Sequence, residues 1–316
     1  MATIAVYFDQ PGGMDYPFTD ALYLDSYRRF TEEAARSAIR IVIVRGEASH
    51  QQGTTFSHYW EFTNGTLTAV DKTITADLIY NKCVGPLPTN FPPELTVNHP
   101  ELDHICHDKL TTYQYFSEFM AKSLPITAQT WREAVVQLRT EMVTLKPVEG
   151  ESGEGIVFVE KATFNGDEFN FNQPYLAQEF IDTSKGIPGI TSGRHDLRVV
   201  VFNGEPKLAY IRIPVEGSLL ANVALGATTQ TVDITQVPES VHQMVASVDA
   251  KLKQFSPRIY SIDFLVAGTT PFIVELNSRP GFPNPKRQGV AFSDTFFSSL
   301  ISILSLHLKT ITSQDV

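Results

Sequence analysis

Apolar and polar positions alternate along the first third of the chain in short β-like runs separated by helix-spaced stretches. Residues 4–8 and the β-branched run 39–44 read as strands, helical spacing covers 20–37 between them, and 77–80 reads as a further short strand. Strand–helix–strand order argues for a parallel sheet with helices on its faces. The proline-rich stretch from Gly85 through Pro93 is predicted to be the connector that ends this unit, an N-terminal α/β domain over 1–97.

The pattern then changes. Residues 108–122 carry helical spacing, and strands are predicted at 124–127, 141–147, 155–160 and 175–181, which makes a small lobe over 98–184. Four breakers, Gly186, Pro188, Gly189 and Gly193, mark 186–193 as a flexible loop. Strands 196–202 and 206–213 flank Asn203-Gly204, a strong two-residue hairpin turn. A helix over 237–255 follows, then a second hairpin from 259–266 and 271–276 that turns at 267–270. This last lobe, over 185–316, is expected to be an antiparallel sheet with helices packed on it. The apolar stretch 296–308 is interrupted by Ser298, Ser299, Ser302, Ser305 and His307 and reads as a closing core helix rather than a membrane span.

Four segments carry candidate chemistry. The first runs from Lys146-Pro147 through Gly150, Ser152, Gly153 and Gly155. Glycine-rich turns let backbone N–H groups converge on an anion, and Lys146 can neutralise phosphate charge. The spacing is neither a Walker A loop nor a dinucleotide fingerprint, and strands lie on both sides, so the segment reads as a β-hairpin flap. Taken alone it is equally an ordinary mobile hairpin, and Glu149, Glu151 and Glu154 must point outward if phosphate is to enter. In the second, alternation puts Glu275 and Asn277 on one strand face, with Val274 and Leu276 on the other. If the hairpin pairs in register, Asp263 joins them, and three hard oxygen donors suit Mg²⁺; the other reading is a solvent-facing acidic patch. In the third, Asp196 and Arg198 share a face, and Arg212 returns beside them. Two neighbouring guanidiniums repel unless an anion lies between. They therefore either hold a phosphoryl or acyl-phosphate oxygen or are neutralised by a carboxylate such as Asp196. The fourth, the strand end Gln178-Glu179-Phe180-Ile181, offers backbone groups and an apolar side chain to a flat purine, or is simply an edge strand.

In this order the segments resemble the ATP-grasp superfamily, specifically RimK-like amino-acid ligases and glutathione synthetases, over about residues 107–281. His107-Asp108-Lys109-Leu110 with Gln114 looks like the entry segment, whose lysine reaches the nucleotide. Lys146 through Gly155 matches the flap, Gln178–Ile181 the adenine hinge, Asp196-Leu197-Arg198 the Asp-Ile-Arg strand, and Asp263, Glu275 and Asn277 the metal positions. The resemblance implies an N-terminal pre-ATP-grasp domain followed by a two-lobed ATP-grasp domain. It also implies ATP with Mg²⁺, for which Mn²⁺ can substitute, and an ADP-forming ligase that joins a carboxylate to an amine through an acyl phosphate. The implied nucleotide residues are Lys109, Lys146, Gly150, Ser152, Gly153, Gln178, Glu179, Phe180, Ile181, Asp196 and Asn222, with Arg198 and Arg212 catalytic. Substrates would be amino acids or peptides, and relatives of this type often form dimers or tetramers. The sequence departs from the pattern in three places: Leu220-Ala221-Asn222 stands where RimK-like enzymes have Arg-Ser-Asn, Gly226-Ala227 stands for a Gly-Gly pair, and the stretch from Ile181 to Asp196 is longer than usual. A kinase or carboxylase on the same fold, or a silent regulatory ATP-binding module, are the rival readings. The intact Asp263, Glu275 and Asn277 argue against the silent module.

Composition narrows the setting. With a net charge of −10 and 19% charged residues, the chain is a poor polyanion binder, which weighs against nucleic acid. Two scattered cysteines, Cys83 and Cys106, make no disulfide framework and fit a reducing cytosol. His99, His104, Cys106 and His107 are close in sequence but have no zinc-finger spacing, and they are expected to straddle a helix start. Lys286 and Arg287 read either as a clamp for a substrate carboxylate or as a solvated charge pair.

Overall fold

A computed structural model describes residues 1–12, 15–85, 87–88, 90–150, 153–221 and 225–314. The first part comprises β1 (Ala2–Phe8), α1 (Ala21–Arg36), β2 (Ile39–Arg45), β3 (His50–Gln52), β4 (Thr55–Phe56), β5 (Tyr59–Thr63), β6 (Thr66–Val70), β7 (Ile74–Thr75), β8 (Leu78–Asn81) and β9 (Thr96–Val97). The main sheet has the order β6-β5-β2-β1-β8-β9, and β3-β4-β7 form a small sheet beside it. Strands β2, β1, β8 and β9 are parallel, as expected, but β5 and β6 run antiparallel, so the sheet is mixed. The hairpin that adds them turns at Asn64-Gly65, both with positive φ (51° and 79°), the conformation that the Asn-Gly pair favours. Alternation along β1 buries Ile4, Val6 and Phe8 on one face and Ala5 and Tyr7 on the other, which is why the strand is apolar throughout. Helix α1 starts at Asp20, whose carboxylate accepts from the Leu22 and Tyr23 amides at 2.7 and 3.2 Å.

The second part holds α2 (Pro100–His107), α3 (Lys109–Phe116), β10 (Ser123–Ile126), α4 (Trp131–Gln137), β11 (Met142–Pro147), β12 (Val157–Glu160) and β13 (Tyr175–Glu179). Its sheet has the order β10-β13-β11-β12 and is antiparallel. The helix expected over 108–122 starts as expected but ends at Phe116 and passes into a 3-10 turn over Ser117–Phe119, and a further helix, α2, precedes it. Asp108 (φ −88°, ψ 111°) ends α2 and caps α3, its carboxylate accepting from the Thr111 amide at 2.6 Å. His104, Cys106 and His107 therefore lie on α2 rather than astride a helix start, with His99 as its N-cap. No group of three or more His, Cys, Asp and Glu side chains placed to hold a metal occurs among the described residues.

The third part contains β14 (Asp196–Phe202), β15 (Glu205–Ile213), β16 (Thr228–Val232), α5 (Glu239–Leu252), β17 (Ile259–Ala267), β18 (Thr270–Asn277), α6 (Pro285–Gln288) and α7 (Val290–Gln314). The sheet β16-β15-β14-β17-β18 is antiparallel throughout. Val241, Val245, Val248 and Leu252 line one stripe of α5 and pack with Leu197, Val199, Val201, Ile262 and Phe264 of the sheet. On the opposite face Val200 and Phe202 join Phe296 and Leu300 of α7 and the core over β1. Helix α7 is long and apolar enough to cross a bilayer by length and composition alone, but Phe296, Phe297, Leu300, Ile301 and Leu304 are buried in this core. The 186–193 segment, expected to be flexible, is tied: Ile187 is buried, bridges to Thr191 and accepts from the Ile190 and Thr191 amides at 3.0 Å.

Candidate active site

The four-stranded and five-stranded sheets face each other across a cleft. Alternation delivers its polar groups. On β14, Asp196 and Arg198 share the face that farther along carries Val200 and Phe202, so the near end is polar and the far end is core. The register pairs Asp196 with Arg212 on β15, Arg198 with Asp263 on β17, and Asp263 with Glu275 on β18. From the opposite sheet come Lys146, Gly153 and the strand end Gln178–Ile181, all lining the same cleft with Asp196, Arg212, Asp263 and Glu275.

The two arginines do approach each other, and a protein carboxylate lies between them. Arg198 forks onto Asp263 with Nε and Nη2 at 2.5 and 2.6 Å. Arg212 Nη2 donates to Asp263 as well, and to Asp196 at 2.6 Å. Burial alone would raise the Asp263 carboxyl, but Arg198 and Arg212 override it and hold the group below the ordinary carboxylate range. Asp196 is raised by burial, with Arg212 opposing, and its Oδ1 and Arg212 Nε are buried without a protein partner. Glu275 is also raised, by burial and then by the neighbouring Asp263 charge, with Lys109 acting in the other direction. Lys146 is fully enclosed and donates to Gln178 Oε1 at 2.6 Å; burial brings its ammonium down to about 8.

Not every expected residue reaches the cleft. Lys109 Nζ donates to the Gly150 carbonyl at 2.6 Å and its amide to Val148 at 3.0 Å, so Lys109 ties the base of the flap. Asn277 lines a small adjoining cavity with Glu275, Gly150, His107 and Arg279, and its Oδ1 accepts from the Arg279 amide at 2.8 Å. Ser152 and Asn222 lie outside the described residues. Val274, expected to face away from Glu275, lines the cleft beside it. A β-bulge pairs Glu275 with Asp263 and Ile273 with Phe264, which leaves Val274 as the extra residue. His195 was not singled out by sequence. It is buried in the cleft wall, one ring nitrogen on the Gly193 carbonyl at 2.9 Å and the other without a protein partner. It precedes β14, where no alternation rule applies.

The family profile of the prokaryotic glutathione synthetase ATP-grasp domain matches residues 108–266. The chain belongs to this ATP-grasp family. The match spans the flap, the strand end at Gln178 and the arginine–carboxylate network. A glutathione synthetase from Synechococcus elongatus is 26% identical over 216 residues, covering 66% of this chain and 62% of the relative. A probable alpha-L-glutamate ligase from Chromohalobacter salexigens is 26% identical over 187 residues, 55% of this chain and 56% of its own. The chain spans about half the length of the curated relatives it matches. The ATP-grasp fold extends further than these alignments: the VanG D-Ala:D-Ser ligase of Enterococcus faecalis superposes with a TM-score of 0.65 at 14% identity, covering 97% of this chain and 99% of that one.

Proposed function

We propose that the chain is an ADP-forming ligase that joins a carboxylate to an amine, with ATP in the cleft between the two sheets. The observation that carries this reading is the convergence of Lys146, Arg212, Asp196, Asp263 and Glu275 on one cleft between the sheets, with Arg198 bound to Asp263 behind it. Relatives named as a glutathione synthetase, an alpha-L-glutamate ligase and a D-Ala:D-Ser ligase support amino acids or peptides as substrates. The free, buried Cys83 and Cys106 support a reducing cytosol as its setting.

The donor set fits Mg²⁺. Both Asp263 oxygens accept from arginine and Asn277 Oδ1 accepts from the Arg279 amide, so Glu275 would be the principal protein ligand, with Asp263 and Asn277 as contributors. When bound, the ion would neutralise phosphate charge during phosphoryl transfer.

The protein's own groups divide the remaining work. Gln178 orients Lys146 towards the phosphates, and the strand end at Phe180 and Ile181 takes the base. A substrate carboxylate oxygen attacks the γ-phosphorus, the bond to the bridging oxygen breaks, and ADP leaves. Arg212, whose Nε lacks a protein partner, offers that donor to the acyl phosphate and to the tetrahedral adduct. Arg198 acts through Asp263, fixing the carboxylate that fixes Arg212. The amine then attacks the acyl carbon, the C–O bond breaks and phosphate departs. The flap between β11 and β12, tied at its base by Lys109, keeps water from the acyl phosphate. Phosphate release from ATP that requires an added amino acid or peptide tests this reading; ATP binding without any such release would point to a regulatory nucleotide-binding module.

A further inference from the structure

Strand pairing sets a row of polar side chains across the four-stranded wall of the cleft. On β13, Gln178 pairs with Ser123 of β10 on one side and with Thr144 of β11 on the other, and Lys146 lies two residues beyond Thr144 on the same face. Thr144, Lys146 and Gln178 line the cleft, and Ser123 touches Gln178. A chain of buried hydrogen bonds links them. Lys146 Nζ donates to Gln178 Oε1 at 2.6 Å, Gln178 Nε2 donates to Ser123 Oγ at 2.9 Å, and Ser123 Oγ donates to the Ala121 carbonyl at 3.0 Å. Ser123 is 2% exposed and Gln178 4%, so little water competes for these bonds.

The direction of this chain is set at both ends. The Ala121 carbonyl only accepts, so it takes the Ser123 proton and leaves the hydroxyl with lone pairs for Gln178. The Lys146 ammonium only donates. Between an acceptor and a donor the Gln178 amide has one satisfied orientation, nitrogen towards Ser123 and oxygen towards Lys146. Turned over, its NH₂ group would face the ammonium hydrogens, and its oxygen would face the Ser123 lone pairs unless Ser123 gave up the Ala121 carbonyl. Either arrangement leaves buried polar groups unpaired. We propose that Ser123 is a positioning residue for the nucleotide: by fixing which way the Gln178 amide faces, it holds the Lys146 ammonium in the cleft for the ATP phosphates. The assignment rests on the ATP-binding part of the ligase reading and not on the ligation step.

The test is a double-mutant cycle on Mg·ATP affinity read by calorimetry, with KM and kcat taken from phosphate release. Ser123→Ala removes the acceptor that orients the amide and should weaken Mg·ATP binding on the order of 10-fold, raising KM for ATP more than it lowers kcat. Ser123→Thr and Ser123→Val have the same shape and both suit a strand, but only threonine keeps the hydroxyl. Threonine should restore the affinity and valine should not. Thermal melts confirm that each variant folds. Gln178→Glu supplies the deciding background, because a carboxylate accepts from the ammonium with either oxygen and has no orientation to fix. Adding Ser123→Ala to Gln178→Glu should therefore change Mg·ATP affinity by less than about 2-fold. An equal loss in both backgrounds, or no loss with alanine and valine, would overturn the positioning role. The expected binding pattern without substrate-dependent phosphate release would keep that role and remove the ligase reading. A parent protein that does not bind Mg·ATP would overturn both.

Discussion

Replacing Asp263 by asparagine tests the arginine network at its centre. Asp263 accepts three hydrogen bonds from two guanidiniums. The side chains are only 4% (Asp263), 13% (Arg198) and 10% (Arg212) exposed, so little water can replace what is lost. Asparagine keeps one acceptor oxygen but loses the charge and presents an amide to a guanidinium. Charge-assisted bonds contribute about 1.5–3 kcal/mol each, and breaking a buried pair from one side costs about 3–5 kcal/mol because the partner is left uncompensated. The melting temperature should therefore fall on the order of 10 °C. A second signature follows from charge. With the carboxylate neutralised, Arg198 and Arg212 face each other, and added inorganic phosphate should stabilise Asp263→Asn more than the parent protein. Circular-dichroism melts with and without phosphate read both effects. An unchanged melting temperature with equal phosphate response would refute the assignment of Asp263 as the shared counter-ion.

Other outcomes follow from the same geometry. Lys146, held near 8 by burial, carries its charge below that pH and loses it above, so KM for ATP should rise between pH 7 and 9, and Lys146→Arg should flatten the profile. The same depression means that the folded state releases this proton first. Its contribution to stability therefore grows as pH climbs from about 8 towards the ordinary lysine value of 10.5, which urea titrations across that window can follow. Gly186→Ala should destabilise by about 1–3 kcal/mol, because φ is +72° and a Cβ would lie 2.1 Å from the Thr191 carbonyl oxygen; an unchanged urea midpoint would contradict the tied loop. Lys109→Met should raise the ratio of ATP hydrolysis to ligation, since the flap loses its tie at Gly150.

Much of this architecture is written in local pattern. The Asn203-Gly204 and 267–270 turns, the apolar run of β1 and the two-residue spacings Asp196/Arg198 and Glu275/Asn277 each have a short-range cause, and the structure follows them. The departures have causes that single-strand periodicity does not carry. Asp108 caps the helix expected from 108, but Phe116 leaves helical geometry (φ −131°, ψ 21°) and ends it early. The bulge at Val274 changes which side chain faces the cleft, and a bulge is a property of two strands together. That Asp263 lies between both arginines depends on three strands in register, so the sequence could state only that some anion was needed. His195 lies just before β14, outside any alternating run, so its place in the cleft wall carries no spacing signal.

The most direct measurement is phosphate release from Mg·ATP across a panel of amino acids and dipeptides, with Glu275→Gln beside the parent protein. The account predicts release that depends on the added substrates and falls on the order of 10²–10³-fold in the variant. Tight ATP binding in both proteins with no substrate-dependent release would contradict it.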